Sequence, residues 1–201
     1  AASDVYKRQQ DDPSTGKRDE IGGLPWKNRS RVIWYHVDGL EQADGAAGSA
    51  RSFSNESEAS VCVSLARGIL ESSREVDVAL LGMYDAQVSL LKRHVKLRSS
   101  KRSSRDVDLV VSTVDSFQGS ESDVVIISLV RCNRTNTVGF LKDPQRFNVA
   151  ITRAKSLLVI VGNARHCFDA DTTGFLSGIV QDLSRQGLSL IHISEPTRRE
   201  G

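Results

Sequence analysis

The sequence predicts a single α/β domain whose sheet is mainly parallel and covered by helices on both faces. Short apolar, β-branched runs alternate along the chain with stretches whose apolar residues recur at helical spacing. Several of those runs are apolar at nearly every position, as strands buried on both sides must be. The 201 residues, 39% of them hydrophobic, supply one buried core but not two.

The elements follow in order. Residues 10–30 are polar with Pro13, Gly16, Gly22, Gly23 and Pro25, and read as loop or linker. Residues 31–37 (RVIWYHV) form a strand, and 38–51 are Gly- and Ala-rich and break regular structure. Over 55–72, Ala59, Val63, Ala66 and Leu70 recur at helical spacing, with Asn55 or Ser54 as the cap. A buried strand at 76–81 precedes a helix at 85–97 that carries Val88, Leu91 and Val95 on one face. The basic, Ser-rich segment 99–105 reads either as a solvated loop or as a loop facing phosphate. A strand at 109–111, a turn-helix at 114–119 and a strongly apolar strand at 123–130 come next. The chain continues with a loop over 133–144, a helix over 145–155, a strand over 157–161 and a closing helix over 173–185.

The composition excludes several classes. A formal net charge of +2 does not by itself announce a nucleic-acid partner, so any basic surface must be local. No run approaches a membrane span and no signal peptide opens the chain, so no membrane partner is expected and a cytoplasmic or nuclear protein is. Cys62, Cys132 and Cys167 lie far apart without a CxxC pair, and the histidines lack ligand spacing, so no metal site is expected. Residues 1–9 (AASDVYKRQ) and 188–201 (LSLIHISEPTRREG) resemble translated sequencing-adapter read-through and are set apart from the fold. The alternative for 188–194 is a genuine terminal strand, since its apolar residues alternate.

Two segments carry chemistry. In 111–131 (VSTVDSFQGSESDVVIISLVR), a strand ends at Ser112 and Thr113 and a turn carries Asp115, Gln118 and Gly119. Loops after the carboxyl ends of parallel strands collect ligands, and hydroxyls, an amide and a glycine there suit a phosphate or sugar. The other reading is a polar connection with a glycine turn. In 144–155 (PQRFNVAITRAK), Phe147, Ala150, Ile151 and Ala154 share the core face of a helix. Arg146 and Arg153, two turns apart, border it, where a planar guanidinium can offset charge on a transferring phosphoryl group. The other reading is a solvated basic helix.

Taken together, VDSFQGSESDVVIISLVR, GFLKDPQRFNVAITRAK and LLVIVGN resemble motifs V and VI of superfamily-one helicases, near the nonsense-mediated-decay helicase, senataxin and the zinc-finger-bearing helicases. Upstream, VALLGMYDAQVSLLKRHV is similar to motif IV, with Gly82, Met83 and Tyr84 where the family has Thr-Pro-Tyr. The resemblance covers 31–187. It implies a RecA-like, P-loop-NTPase-like second motor domain, ATP with Mg2+ as cofactor, single-stranded RNA or DNA as partner, and a first RecA-like domain in the same chain. By motif match Arg153 contacts the γ-phosphate, Glu121 the ribose, and Gly119 a phosphate through its backbone, with Gln118 supporting the turn. Thr113, assisted by Ser112, and the Tyr84 loop meet nucleic acid. Arg146 and Asn148 brace the helix and the nucleotide cleft, while Asp115 and Asp123 are structural.

No GxxxxGK[ST] sequence occurs, nor an Asp-Glu strand of the Walker B kind. Those parts, with the Mg2+ ligands, are expected in the first domain, so the chain is expected to be a fragment that does not hydrolyse ATP alone. The alternative function is a non-catalytic nucleic-acid-binding or scaffold module derived from a helicase domain.

Overall fold

The computed structural model describes residues 31–44, 52–72, 76–98, 109–171, 174–185 and 190–192. Its strands are β1 (Val32–His36), β2 (Gln42–Asp44), β3 (Ser52–Ser54), β4 (Val78–Gly82), β5 (Leu109–Thr113), β6 (Ser122–Ser128), β7 (Ala154–Gly162) and β8 (Leu190–His192). Its helices are α1 (Glu56–Ser72), α2 (Asp85–Arg98), α3 (Pro144–Ile151), α4 (Ala164–Asp169) and α5 (Phe175–Arg185), with a 3₁₀ turn at Gly139–Lys142. Six strands form one parallel sheet in the order β5-β4-β6-β7-β1-β8.

The all-apolar strands explain the layers. Along β4, Val78 and Leu80 point into a core shared with Val63 and Ile69 of α1 and Leu91 of α2. Ala79 and Leu81 point the other way, into a core with Phe147 of α3 and Leu176 of α5. A strand with helices on both faces has no side free for polar residues, and all five β4 residues are buried.

Local caps set the helix starts. Asn55 Oδ1 accepts from the Glu58 amide at 3.2 Å, and Asp143 accepts from the Gln145 amide at 2.9 Å ahead of Pro144. Around α1 the usual reciprocal bond is redirected. The Asn55 amide donates to Gln87 Oε1 at 2.7 Å, leaving the fully buried Glu58 carboxylate to accept from Ser128 Oγ at 2.6 Å and the Val130 amide at 2.8 Å.

Four expectations are corrected. The Gly-rich 38–51 stretch is not wholly irregular: its described part holds β2, which pairs antiparallel with β3. An unexpected helix, α4, follows β7, its first turn capped by Asn163 accepting from the His166 amide at 2.8 Å. The helix expected over 145–155 stops at Ile151. Thr152 Oγ1 donates to the Asn148 and Val149 carbonyls, and Arg153 O accepts from the Ser122 amide, which draws the chain into β7. The apolar spacing of 147–154 therefore runs through a helix end into a strand, and Arg146 and Arg153 do not share a helix face. The 114–119 segment is a series of turns rather than a helix.

The strands expected at 31–37, 76–81, 109–111, 123–130 and 157–161 all form, as do helices near 55–72, 85–97 and 173–185. Within the stretch set apart at 188–201, Leu190–His192 pairs with β1. The expectations for 1–30, 99–105 and 193–201 lie outside the described residues. No helix among the described residues is long and apolar enough to cross a membrane.

Candidate functional site

Strand register divides the candidate residues between two edges of the sheet. Gly82 is level with Thr113 and Ser128, which defines the carboxyl edge. Ser122 is level with Ala154, which defines the amino edge of β6 and β7. The segment 114–121 crosses from one edge to the other, with Val114 and Phe117 buried in the core beside Phe147. The two halves of the first motif therefore face opposite ways: Ser112 and Thr113 sit at the carboxyl edge, Gln118, Gly119 and Glu121 at the amino edge. A sequence reading that gathers them after one strand end misses this, because it takes the turn as a local loop.

At the amino edge, Gln118, Gly119 and Glu121 are exposed. Gly119 has φ +85°, a left-handed conformation that L side chains rarely adopt, and a side chain there would meet nothing within 4 Å. Its backbone is thus presented to open space, where a ligand can approach. Arg153 comes to the same turn: its Nε donates to the Val149 carbonyl at 3.0 Å and Nη1 to the Ser120 carbonyl at 3.5 Å. A half-buried guanidinium, an exposed carboxylate and an accessible glycine backbone stand together on this turn, so it offers a fixed cation and a free acceptor to an incoming polar ligand. Among the described residues no three His, Cys, Asp or Glu side chains gather as a metal-binding group.

The carboxyl edge is built around a buried arginine that the sequence reading did not single out. Arg131 pairs with Glu41 at 3.0 Å, both side chains less than a tenth exposed. Its guanidinium carbon lies 4.2 Å from the Phe53 ring centroid, and its nitrogens donate to Tyr84 Oη at 3.2 Å and Thr137 Oγ1 at 3.0 Å. Glu41 Oε2 also accepts from the Cys132 amide and Asn133 Nδ2, each at 2.9 Å. Tyr84, expected to meet nucleic acid, is buried, with its ring 5.4 Å from Phe53 and 5.2 Å from Phe140.

Arg131 is aimed from the preceding residue. Val130 has φ +71°, unusual for a β-branched residue, and is held there by Glu58, which accepts from its amide, and by Asn55 Nδ2, which donates to its carbonyl at 3.3 Å. Burial pushes the Glu58 carboxyl up to about 7, against the lowering effect of its bonds to Ser128, Val130 and Leu129. Burial likewise raises the thiols of Cys62, Cys132 and Cys167, all of them free.

Between these supports lies a cavity of about 270 Å³ lined by Ser52, Met83, Tyr84, Asp85, Thr113, Val114, Asp115, Phe140 and Arg146. Arg146 Nη2 donates to Asp115 Oδ2 at 2.8 Å, and its guanidinium lies 4.8 Å from the Phe140 centroid. Thr113 Oγ1 accepts from the Ser116 amide at 3.1 Å and donates to Ser116 Oγ at 2.8 Å, fixing the start of the crossing turn. Asp123 Oδ2 accepts from the Asp77 amide at 3.2 Å, a structural role.

Sequence reasoning passed over Arg131, Glu41, Phe53 and Phe140. Phe140 stands inside the quoted GFLKDP string, where an aromatic residue in a loop is a usable signal; Glu41, in a Gly-rich stretch, offers none.

Comparison with known proteins fits this architecture. The chain is 31% identical over 184 residues to a Drosophila melanogaster regulator of nonsense transcripts 1 homolog, covering 87% of this chain and 15% of that protein. It is 39% identical over 142 residues to the Saccharomyces cerevisiae DNA polymerase alpha-associated DNA helicase A, covering 66% of this chain and 19% of that one. It is 32% identical to the ATP-dependent helicase NAM7 of the same yeast, covering 71% and 14%. The chain thus spans less than a fifth of the length of these relatives. Among solved structures, the C-terminal domain of a possible DNA helicase from Lactobacillus aligns with a TM-score of 0.44 and 15% identity over 75% of this chain and 80% of that one. Residues 3–165 match the AAA domain family, and the chain belongs to that family, as a RecA-like domain of the superfamily-one helicase kind.

Proposed function

We propose that this domain is the second motor domain of an ATP-dependent helicase or translocase that moves along single-stranded RNA, or DNA. The observation that carries the reading is the division of the site between the two edges of one sheet. A nucleotide held at the amino edge and a strand held at the carboxyl edge are joined by the crossing turn 114–121, so movement at one edge is felt at the other.

In this reading Arg153 is the arginine finger. A permanently charged guanidinium drawn against the γ-phosphate offsets the charge that builds up in transfer, an effect typically worth about 10³–10⁵ in rate. Glu121 accepts from the ribose hydroxyls, the Gly119 backbone approaches a phosphate, and Gln118 holds the turn. Arg146 steadies the carboxyl edge through Asp115 rather than reaching the nucleotide. Thr113 and Ser112 face the sugar-phosphate backbone, while the buried Tyr84 lines the cavity beside Thr113 and acts on the strand indirectly. The Mg2+ ligands and the phosphate-binding loop belong to a first RecA-like domain of the same chain, and the protein works in the cytoplasm or nucleus. This domain alone does not hydrolyse ATP.

The test is Arg153→Ala in the complete protein, read by nucleic-acid-stimulated ATPase and by thermal melting. The expected result is loss of turnover with an unchanged melting midpoint. Retention of more than about a tenth of wild-type turnover would remove Arg153 from the role. Full single-strand binding by a complete protein with no ATPase of its own would favour the non-catalytic module.

A further inference from the structure

Building on the placement of the strand at the carboxyl edge, we propose that Phe140 and the guanidinium of Arg146 form a stacking site for one base of the bound single strand. The row of rings beneath this edge ends in the open. Tyr84 is 4% exposed, whereas Phe140 is 48% exposed. The Phe140 ring lies 5.2 Å from Tyr84 at an interplanar angle of 31°, and Arg146, itself half-exposed, is 4.8 Å from its centroid. Both residues line the cavity of about 270 Å³.

A single exposed apolar side chain is ordinary on any surface. Phe140 differs because the fold fixes it there. Its backbone amide donates to Tyr84 Oη at 3.4 Å, and Leu141 beside it is fully buried. Gly139 has φ +56°, and a Cβ there would lie 2.5 Å from both Arg131 Nη1 and Tyr84 Oη. The turn can only close down this far with glycine, and closing it sets the next ring at the cavity mouth.

The chemistry of the lining selects the ligand. A flat aromatic and a planar guanidinium offer stacking, while the Ser52 hydroxyl and the Asp115 carboxylate offer hydrogen bonds to a heteroaromatic edge. Asp115 already neutralises Arg146 and repels anions, so a phosphate fits poorly. The cavity also lies at the sheet edge opposite Arg153, which separates it from the nucleotide of the motor cycle.

The test uses the full chain and a single-stranded oligonucleotide carrying 5-iodouridine, photocrosslinked and mapped by mass spectrometry, beside equilibrium binding at several salt concentrations. Wild type is expected to crosslink in the peptide that contains Phe140. Phe140→Ala should weaken binding about five- to 150-fold, the range for one base-aromatic stack. The slope of log affinity against log salt should stay unchanged, because no phosphate contact is lost. Phe140→Trp should restore affinity and Phe140→Leu should not; the leucine variant, which keeps apolar bulk, carries the test should the alanine variant fail to fold. Wild-type affinity in both Ala and Leu variants overturns the stacking site while leaving the helicase reading intact. Absence of single-strand binding by wild type overturns the strand placement itself. Displacement of the crosslink by free AMP, with oligonucleotide affinity unaffected by Phe140→Ala, reassigns the cavity to a mononucleotide and overturns the proposal.

Discussion

At the amino edge of the sheet, Gln118, Gly119 and Glu121 stand exposed on a turn and Arg153 rests on two carbonyl oxygens, whereas at the carboxyl edge Arg131 lies buried against Glu41, Phe53, Tyr84 and Thr137. One edge is assembled within this domain; the other presents polar groups with little packed around them. The difference is one of preorganisation: contacts within this domain hold the carboxyl edge rigid, whereas in the proposed reading the amino edge completes its contacts only when the first motor domain closes on it. Substitutions of the two central arginines should therefore divide: activity without stability for Arg153, stability first for Arg131.

The largest effect expected is that of Arg153→Ala, about 10³-fold or more in turnover of the complete protein, with stability changed by no more than about 0.5 kcal/mol. A large fall in melting temperature would break the comparison, since it would make Arg153 a structural residue. The counterpart is Arg131→Met. It strands Glu41 in a nearly buried site without its partner and should cost about 3–5 kcal/mol in denaturant unfolding. A loss below about 1 kcal/mol would mean that the carboxyl edge is not held together by this pair.

Glu58 sharpens the same contrast, because it pins Val130 and so aims Arg131. Its carboxyl lies near 7 in the folded protein against an ordinary 4.5, raised mainly by burial. A raised acid contributes stability that is full below the unfolded value and is lost as pH rises through the folded one. Stability should therefore fall between about pH 4.5 and 7 by up to about 3 kcal/mol and level off above. Glu58→Gln should flatten that slope in urea titrations at pH 5 and pH 8. An unchanged slope would assign the pH dependence to other groups.

The sheet was legible because strands buried on both faces write continuous apolar runs, and VALL and LLVIV can hardly be read otherwise. The end of α3 was not, because FNVAITRA keeps helical spacing across the turn at Thr152, and only pairing with β6 decides where the helix stops. The candidate residues were recognisable by motif, but their division between two edges was invisible, since it depends on how far a short turn crosses the sheet. The Arg131–Glu41 pair joins positions ninety apart with no local signature at either end, and nothing short of the fold reveals it.

The smallest effect expected separates charge from stacking at the carboxyl edge. Asp115 and Arg146 form an exposed ion pair, with side chains 60% and 38% exposed, so water screens them and their attraction adds less than about 1 kcal/mol to stability. Asp115→Asn leaves the fold nearly unchanged and frees the guanidinium for a phosphate. Single-strand binding should then tighten at low salt, and the slope of log affinity against log salt should steepen by about 0.7, the change for one added phosphate contact. A slope that stays put would mean that Arg146 remains over Phe140 without its carboxylate, and that the stack, rather than the ion pair, sets its position.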